Sequence, residues 1–243
     1  MNQDVSIRDG LRSPDSFSAQ AAAISPEYLT ADALGDLGDW FRTRPTEPKV
    51  FRDFLQEDLA RSMGEAMRAL PVWERYSAVQ RDENDPPTAG HFVARSLPDC
   101  LADGRMPSQH QKSLRSFLAF SVMSGALQDW IQRGIGVELD RGRTSLELAC
   151  YRAGDHIEEH QDLLPGRILA INFYLDENYR QGDGARLGYR NEDGREFFVD
   201  PLFNSFALVP ILPESFHWVE QFEGSSTGRF TVSIGQHRVV RHG

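Results

Sequence analysis

Cysteine, lysine and long apolar runs are what this 243-residue chain lacks. Its two cysteines, Cys100 and Cys150, are too few for a disulfide framework and fit a reducing compartment. No stretch approaches about 18 consecutive apolar residues, which excludes a transmembrane helix. The opening MNQDVSIRDGLRSPDSF has no basic start and no apolar block, so it does not read as a secretory signal. The expected location is cytoplasmic, with no membrane partner. Only Lys49 and Lys112 are lysine among 26 basic residues.

A basic face is also missing. Residues 1–139 carry 20 acidic and 15 basic side chains, residues 140–243 carry 16 and 11, and the two parts sum to −10. Neither part offers a phosphate-binding surface, so nucleic acid is not an expected partner. What the chain does have is a 40% hydrophobic content, and a chain of this size buries on the order of 70% of its unfolded surface.

Residues 1–26 are polar and aperiodic and read as a loose N-terminal leader. Residues 27–243 read as one domain, with a mainly helical support layer over 27–140 and a β core over 141–240. Helices are expected over 28–43 and 56–70, where Leu29, Leu34, Leu37 and Phe41, then Leu59, Met63, Met67 and Leu70, recur at helical spacing. Arg44-Pro45 should end the first helix, and a short strand is expected at 49–52. Residues 81–110, with Pro86-Pro87, Gly90, Pro98, Gly104 and Pro107, read as a long irregular binding loop. A second long helix is expected over 111–133. From about 145 the texture changes to short strands between turn clusters: 145–151, 167–175, 185–190, 195–199, 205–209, 217–222 and 228–236. Such spacing predicts a β-sandwich or barrel.

Four features of this β half suggest one site. Tyr151-x-x-Gly154 is followed by His160-x-Asp162, and residues two apart on extended backbone point the same way. His217 follows 57 residues after His160. Two imidazoles and a carboxylate make the facial triad that holds non-haem Fe(II) with open positions. Arg229 and Thr231 share a strand face, and a guanidinium there can take a carboxylate bidentately. Arg167-x6-Tyr174-Leu175-Asp176 places Ala170, Asn172 and Tyr174 on one face and Leu169, Ile171 and Phe173 on the other.

In order and spacing, these residues resemble the Fe(II)/2-oxoglutarate-dependent oxygenases, most closely the prolyl 4-hydroxylase-like branch. The resemblance spans roughly 48–238 and includes Val50-Phe51-Arg52-Asp53-Phe54-Leu55 before a helix. It implies a mainly β fold, a double-stranded β-helix of the jelly-roll or cupin kind, with an N-terminal α layer. It further implies that His160, Asp162 and His217 ligate iron and that Arg229 grips the distal carboxylate of 2-oxoglutarate. Tyr174 would hydrogen-bond the same carboxylate, and Tyr151 would sit beside the iron in a catalytic role. Thr231 and Asn172 are further cofactor-pocket candidates. Fe(II), 2-oxoglutarate and O₂ are the implied cofactors, and the resemblance admits ascorbate. The activity implied is hydroxylation of an unactivated C–H bond in a small molecule, amino acid or peptide, or alternatively in a protein residue such as proline. The family's Gly-Gly-x-Leu turn reads Gly182-Asp183-Gly184-Ala185-Arg186-Leu187 here. A damaged nucleobase is disfavoured, because the nucleic-acid dealkylases of the superfamily carry a second arginine where this chain has Gly235.

His156-Ile157-Glu158-Glu159-His160 also matches H-x-x-E-H, the inverted zinc-peptidase signature. That chemistry requires a helix over these residues. His91, His110, His237 and His242 are expected on the surface or in loops, the last two beyond the final strand.

Overall fold

The computed structural model describes residues 22–43, 45–79, 88–224 and 228–240. Most of the expected leader lies outside these residues. Its end is not loose: Ile24 is buried and bridges to Leu55. A 3₁₀ turn, Pro26–Leu29, leads into helix α1, Ala31–Arg42. Thr30 caps that helix, its hydroxyl accepting from the Ala33 N–H at 3.2 Å. Strand β1, Lys49–Phe51, precedes helix α2, Glu57–Arg68, which buries Ala60, Met63 and Met67 along one stripe.

Residues 81–110 are not one irregular loop. Strand β2, Glu74–Val79, pairs with strand β3, Thr88–Ser96, and helix α3, Leu97–Ala102, follows directly. Gly90 lies inside β3, Pro98 sits in the first turn of α3, and β3 is held by three partners. The long helix expected over 111–133 is divided. Helix α4, Ser108–Leu118, passes through a π turn at Ala119–Met123, and Gly125 at φ 72° separates it from helix α5, Ala126–Ile135. Left-handed backbone cannot continue a right-handed helix, so apolar periodicity carries across a break in the chain's direction.

The remaining strands are β4 (Leu139–Tyr151), β5 (His156–His160), β6 (Arg167–Tyr174), β7 (Leu187–Arg190), β8 (Glu196–Val199), β9 (Ser205–Pro210), β10 (Phe216–Val219) and β11 (Arg229–Arg238). Every pairing is antiparallel, in the order β1-β9-β6-β11-β4-β3-β5-β10-β7-β8, with β2 on β3. This is a double-stranded β-helix. Strand β3 joins its two sheets: Gly90 and His91 pair with β5, while Val93–Ser96 pair with β4. Residues 27–140, expected to be mainly helical, thus contribute β1, the expected short strand, and also β2 and β3 to the sheets.

The helices cover one face of the larger sheet. Leu169, Ile171 and Phe173 of β6 join Phe54, Phe117 and Trp130 in the main core, with Phe54 stacked on Phe206 at 4.2 Å. The opposite face of β6, with Ala170 and Tyr174, packs inside the barrel. The period-2 alternation thus assigns one face to stability and the other to the cavity.

One expectation fails here. His237 does not follow the last strand: it lies within β11 and is 5% exposed. His242 lies outside the described residues. Residues 156–160 form a strand, not the helix that zinc-peptidase chemistry requires, because β5 is held on both sides by β3 and β10. Among the described residues, no helix is long and apolar enough to cross a membrane.

Candidate metal and cosubstrate centre

The β5–β10 pairing sets His160 directly opposite His217. Asp162 follows two residues after His160, on the segment that turns back into β6. One donor atom from each of the three residues falls within 4.8 Å of the others. The His160 and Asp162 closest approach is 3.8 Å, from Nε2 to Oδ1, and His217 Nε2 lies 3.3 Å from Asp162 Oδ2. All three side chains are at least nine-tenths buried. The His160 Nδ1 lies 2.9 Å from the Glu158 carbonyl. A carbonyl only accepts, so Nδ1 donates and Nε2 is left to face the cluster.

Arg229 stands across the cavity at the start of β11, register partner of Tyr151 on β4. It is 2% exposed. Its Nε donates to Thr231 Oγ1 at 3.0 Å and its Nη1 donates to the Ala185 carbonyl at 2.6 Å. The guanidinium carbon is 4.8 Å from the Tyr151 ring centre and 4.9 Å from that of Tyr174. No acidic side chain forms an ion pair with it among the described residues. A buried cation held only by neutral acceptors and aromatic faces is electrostatically matched to an incoming anion.

Tyr174 is completely buried, and its hydroxyl has no hydrogen-bond partner among the described residues. Burial pushes its phenol pKa up, opposed by Arg229, so at neutral pH it is a neutral O–H donor. An orphaned donor beside an unpaired guanidinium fits a carboxylate, which accepts from both. Tyr151, Arg229, Asn172, Ile171 and the three clustered residues line one small cavity of about 50 Å³. The described residues thus bring together most of the expected set. Thr231 is close, but its hydroxyl is taken by Arg229 and it does not line the cavity. Asn172 lines it with Oδ1 accepting from Ser233 Oγ at 2.8 Å.

Three contributors carried no assigned role in sequence. Arg167 lines the cavity and its Nη2 lies 2.9 Å from Asp162 Oδ2; its place at the head of the Arg167-x6-Tyr174 run was the available signal. For Ser233 the available signal was its place two residues after Thr231, on the Arg229–Thr231 face. The Ala185 carbonyl had no signal, because any residue supplies a carbonyl. Its loop departs from the family's glycine pattern, and Ala185 takes φ 51° there. A second cavity, of about 500 Å³, adjoins the first and shares Tyr151, Ile157, Arg167 and Ser233 with it. Tyr76, Phe92 and Glu147 line its outer part, and Phe92 stacks between Tyr76 (5.5 Å) and Tyr151 (5.4 Å).

Residues 146–236 match the family model described as the 2OG-Fe(II) oxygenase superfamily. No curated protein matches the sequence. Among solved structures, a Pseudomonas putida prolyl-4-hydroxylase is similar at 19% identity and TM-score 0.59, over 85% of this chain and 99% of that one. A Trichoplax adhaerens prolyl hydroxylase, solved with a peptide fragment of a hypoxia inducible factor oxygen degradation domain, is similar at 14% identity and TM-score 0.63. It covers 89% of this chain and 95% of its own. SnoN, a non-heme alpha-ketoglutarate-dependent epimerase of nogalamycin biosynthesis, is similar at 13% identity and TM-score 0.57, over 85% and 83%. At these identities the structures share the fold.

Proposed function

We propose that the chain is a 2OG-Fe(II) oxygenase, the family whose model its residues 146–236 match, and that it hydroxylates a small molecule, amino acid or peptide. The observation that carries the reading is Arg229: a buried guanidinium on the cavity of His160, Asp162 and His217, with no acidic partner among the described residues and lying over the ring of Tyr174, whose hydroxyl has no partner among them either. Those three would hold Fe(II), two imidazoles and one carboxylate being the donor set suited to that ion. Bound together, Fe(II), 2-oxoglutarate and O₂ supply the oxidising power for inserting oxygen into a C–H bond, with succinate and CO₂ as coproducts.

The chain's own residues divide the remaining work. Arg229 and Tyr174 neutralise and orient the far carboxylate of the cosubstrate, with Thr231 holding the guanidinium in line. Asn172, tied to Ser233, presents a fixed polar edge to the cavity. Tyr151 walls the cavity between Arg229 and Phe92 and keeps it dry on that side. Substrate fits the adjoining 500 Å³ cavity, which shares a wall with the smaller one and lies in the size range of ligand sites, about 300–1,000 Å³.

A prolyl residue in a protein is the second substrate class, supported by the fold shared with a prolyl hydroxylase that binds a peptide. The experiment is product analysis on the purified chain with Fe(II), 2-oxoglutarate and candidate substrates from both classes. Succinate formation together with a 16 Da gain on substrate supports the reading. Peptide cleavage with zinc and without 2-oxoglutarate overturns it.

A further inference from the structure

We propose that Arg167 is a positioning residue for the carboxylate of Asp162, and that position 235 is glycine so that Arg167 can lie where it does. The inference rests on reading His160, Asp162 and His217 as metal ligands.

Arg167 opens β6, five residues after Asp162. The turn between them closes through the Leu164 N–H on the Asp162 carbonyl and the Arg167 N–H on the Leu164 carbonyl, both at 2.9 Å. That turn brings the guanidinium back over the carboxylate. Nη2 donates to Asp162 Oδ2 at 2.9 Å, with the two side chains 6% and 2% exposed. A charge-assisted bond in so dry a place is shielded little by solvent.

The path of the side chain runs over β11. Gly235 pairs with Ala170 on one side and Ser145 on the other. A Cβ at this position would stand 3.1 Å from Arg167 Cζ, 3.3 Å from its Nε and 2.7 Å from Ser145 Oγ. A side chain there would have to push Ser145 Oγ aside and would crowd the guanidinium on its seat. The residue that makes a nucleic-acid dealkylase assignment unattractive is thus the one that makes room for an arginine from the neighbouring strand.

Asp162 needs such a partner. A carboxylate can rotate and offer either oxygen, or both, to a metal. With Oδ2 engaged by Arg167, the carboxylate's rotation is restrained and Oδ1 is the oxygen turned toward His160. The same Oδ2 lies 3.3 Å from His217 Nε2, so the arginine also compensates a buried carboxylate at the point where the ligands meet. Partners of this kind, which bond to ligands rather than to metal, commonly set affinity and geometry.

The test is anaerobic titration of the full metal-free chain with Co(II), whose visible absorption reports coordination. Wild type should bind one equivalent. Arg167→Gln and Gly235→Ala should each bind roughly 10- to 100-fold more weakly, the usual cost of losing a ligand's partner, with shifted absorption bands. Arg167→Lys, which keeps the charge without the fork, should recover part of the affinity. In turnover with Fe(II), the same variants should lower kcat while leaving KM for 2-oxoglutarate within about twofold, because Arg229 is untouched. Thermal unfolding identifies any variant that fails to fold. If Arg167→Gln is that variant, Gly235→Ala still carries the test, since it keeps both charges. Wild-type affinity and an unchanged spectrum in the folded variants would overturn the proposal while sparing the metal site. Wild type that binds no Co(II), or His217→Ala that binds it as tightly, would remove the metal site and the proposal with it.

Discussion

His160 and His217 face each other across the β5–β10 pair, 57 residues apart in sequence, with ring centres 4.2 Å apart. Register alone produces this approach: each histidine is the strand partner of the other, so any slip by one residue would turn one ring out of the barrel. The consequence for function is that neither can be replaced by a neighbour.

The first expectation follows directly. His160→Ala, His217→Ala and Asp162→Ala should each abolish Fe(II)-dependent succinate formation while the barrel remains folded. With three ligands, loss of one leaves no redundancy. Circular dichroism and succinate assays on the same samples check both halves, and full turnover by His217→Ala would remove it from the site.

Arg229→Ala should raise KM for 2-oxoglutarate far more than it alters substrate affinity. Removing one partner of a buried charge pair costs about 2–5 kcal/mol, roughly 30- to 5000-fold. Tyr174→Phe should cost less, at most about 1.5–3 kcal/mol for one bond to a charged group.

The Tyr174 hydroxyl has no partner among the described residues, which separates stability from binding. Without cosubstrate, Tyr174→Phe should be as stable as wild type or more so, since it deletes an unsatisfied buried donor. Denaturant unfolding with and without 2-oxoglutarate reads this: the ligand should stabilise wild type more than the variant.

Burial pushes the pKa of both Cys100 and Cys150 up to about 11, and each is no more than 1% exposed. The thiolate is the reactive form, so neither should react with a thiol reagent at pH 7.5 in the folded chain. Both should react promptly in denaturant. Stoichiometric labelling under native conditions would contradict the burial of both.

His237 carries the pH dependence of the last strand. Burial, with Arg143 and Arg167, lowers its pKa below the ordinary 6.5. Between that lowered value and about 6.5 the unfolded chain binds more protons than the folded one, so stability rises with pH across this window and is lost as pH falls through it. The unfolding midpoint should therefore fall on acidification from pH 7 towards pH 5, and His237→Gln should show a shallower fall.

The proposed metal ligands, the proposed cosubstrate arginine and the β core were legible in sequence because short-range regularities encode them. His160 and Asp162 share a direction through the period of an extended chain, Arg229 and Thr231 do so again, and alternation along β6 correctly separated the core-facing Leu169, Ile171 and Phe173 from Ala170, Asn172 and Tyr174. Local periodicity also located α1 and α2, whose apolar stripes need only one neighbouring surface.

What sequence could not determine depends on partners distant in the chain. Strand β3 was read as loop because its Gly and Pro neighbours signal turns, and only pairing with β2, β4 and β5 makes it a strand. The His156–His160 segment was compatible with a helix until two flanking strands held it extended. His237 was placed beyond the sheet because its burial comes from β4 and β6, not from its own neighbours. Arg167 and Gly235 are 68 residues apart and acquire meaning together only where β6 lies beside β11. Composition and periodicity act over a few residues and determined the fold class and the donor set. Register, the hydrogen-bonded choice of which distant residues face each other, belongs to the tertiary structure, and it decided which arginine meets which carboxylate.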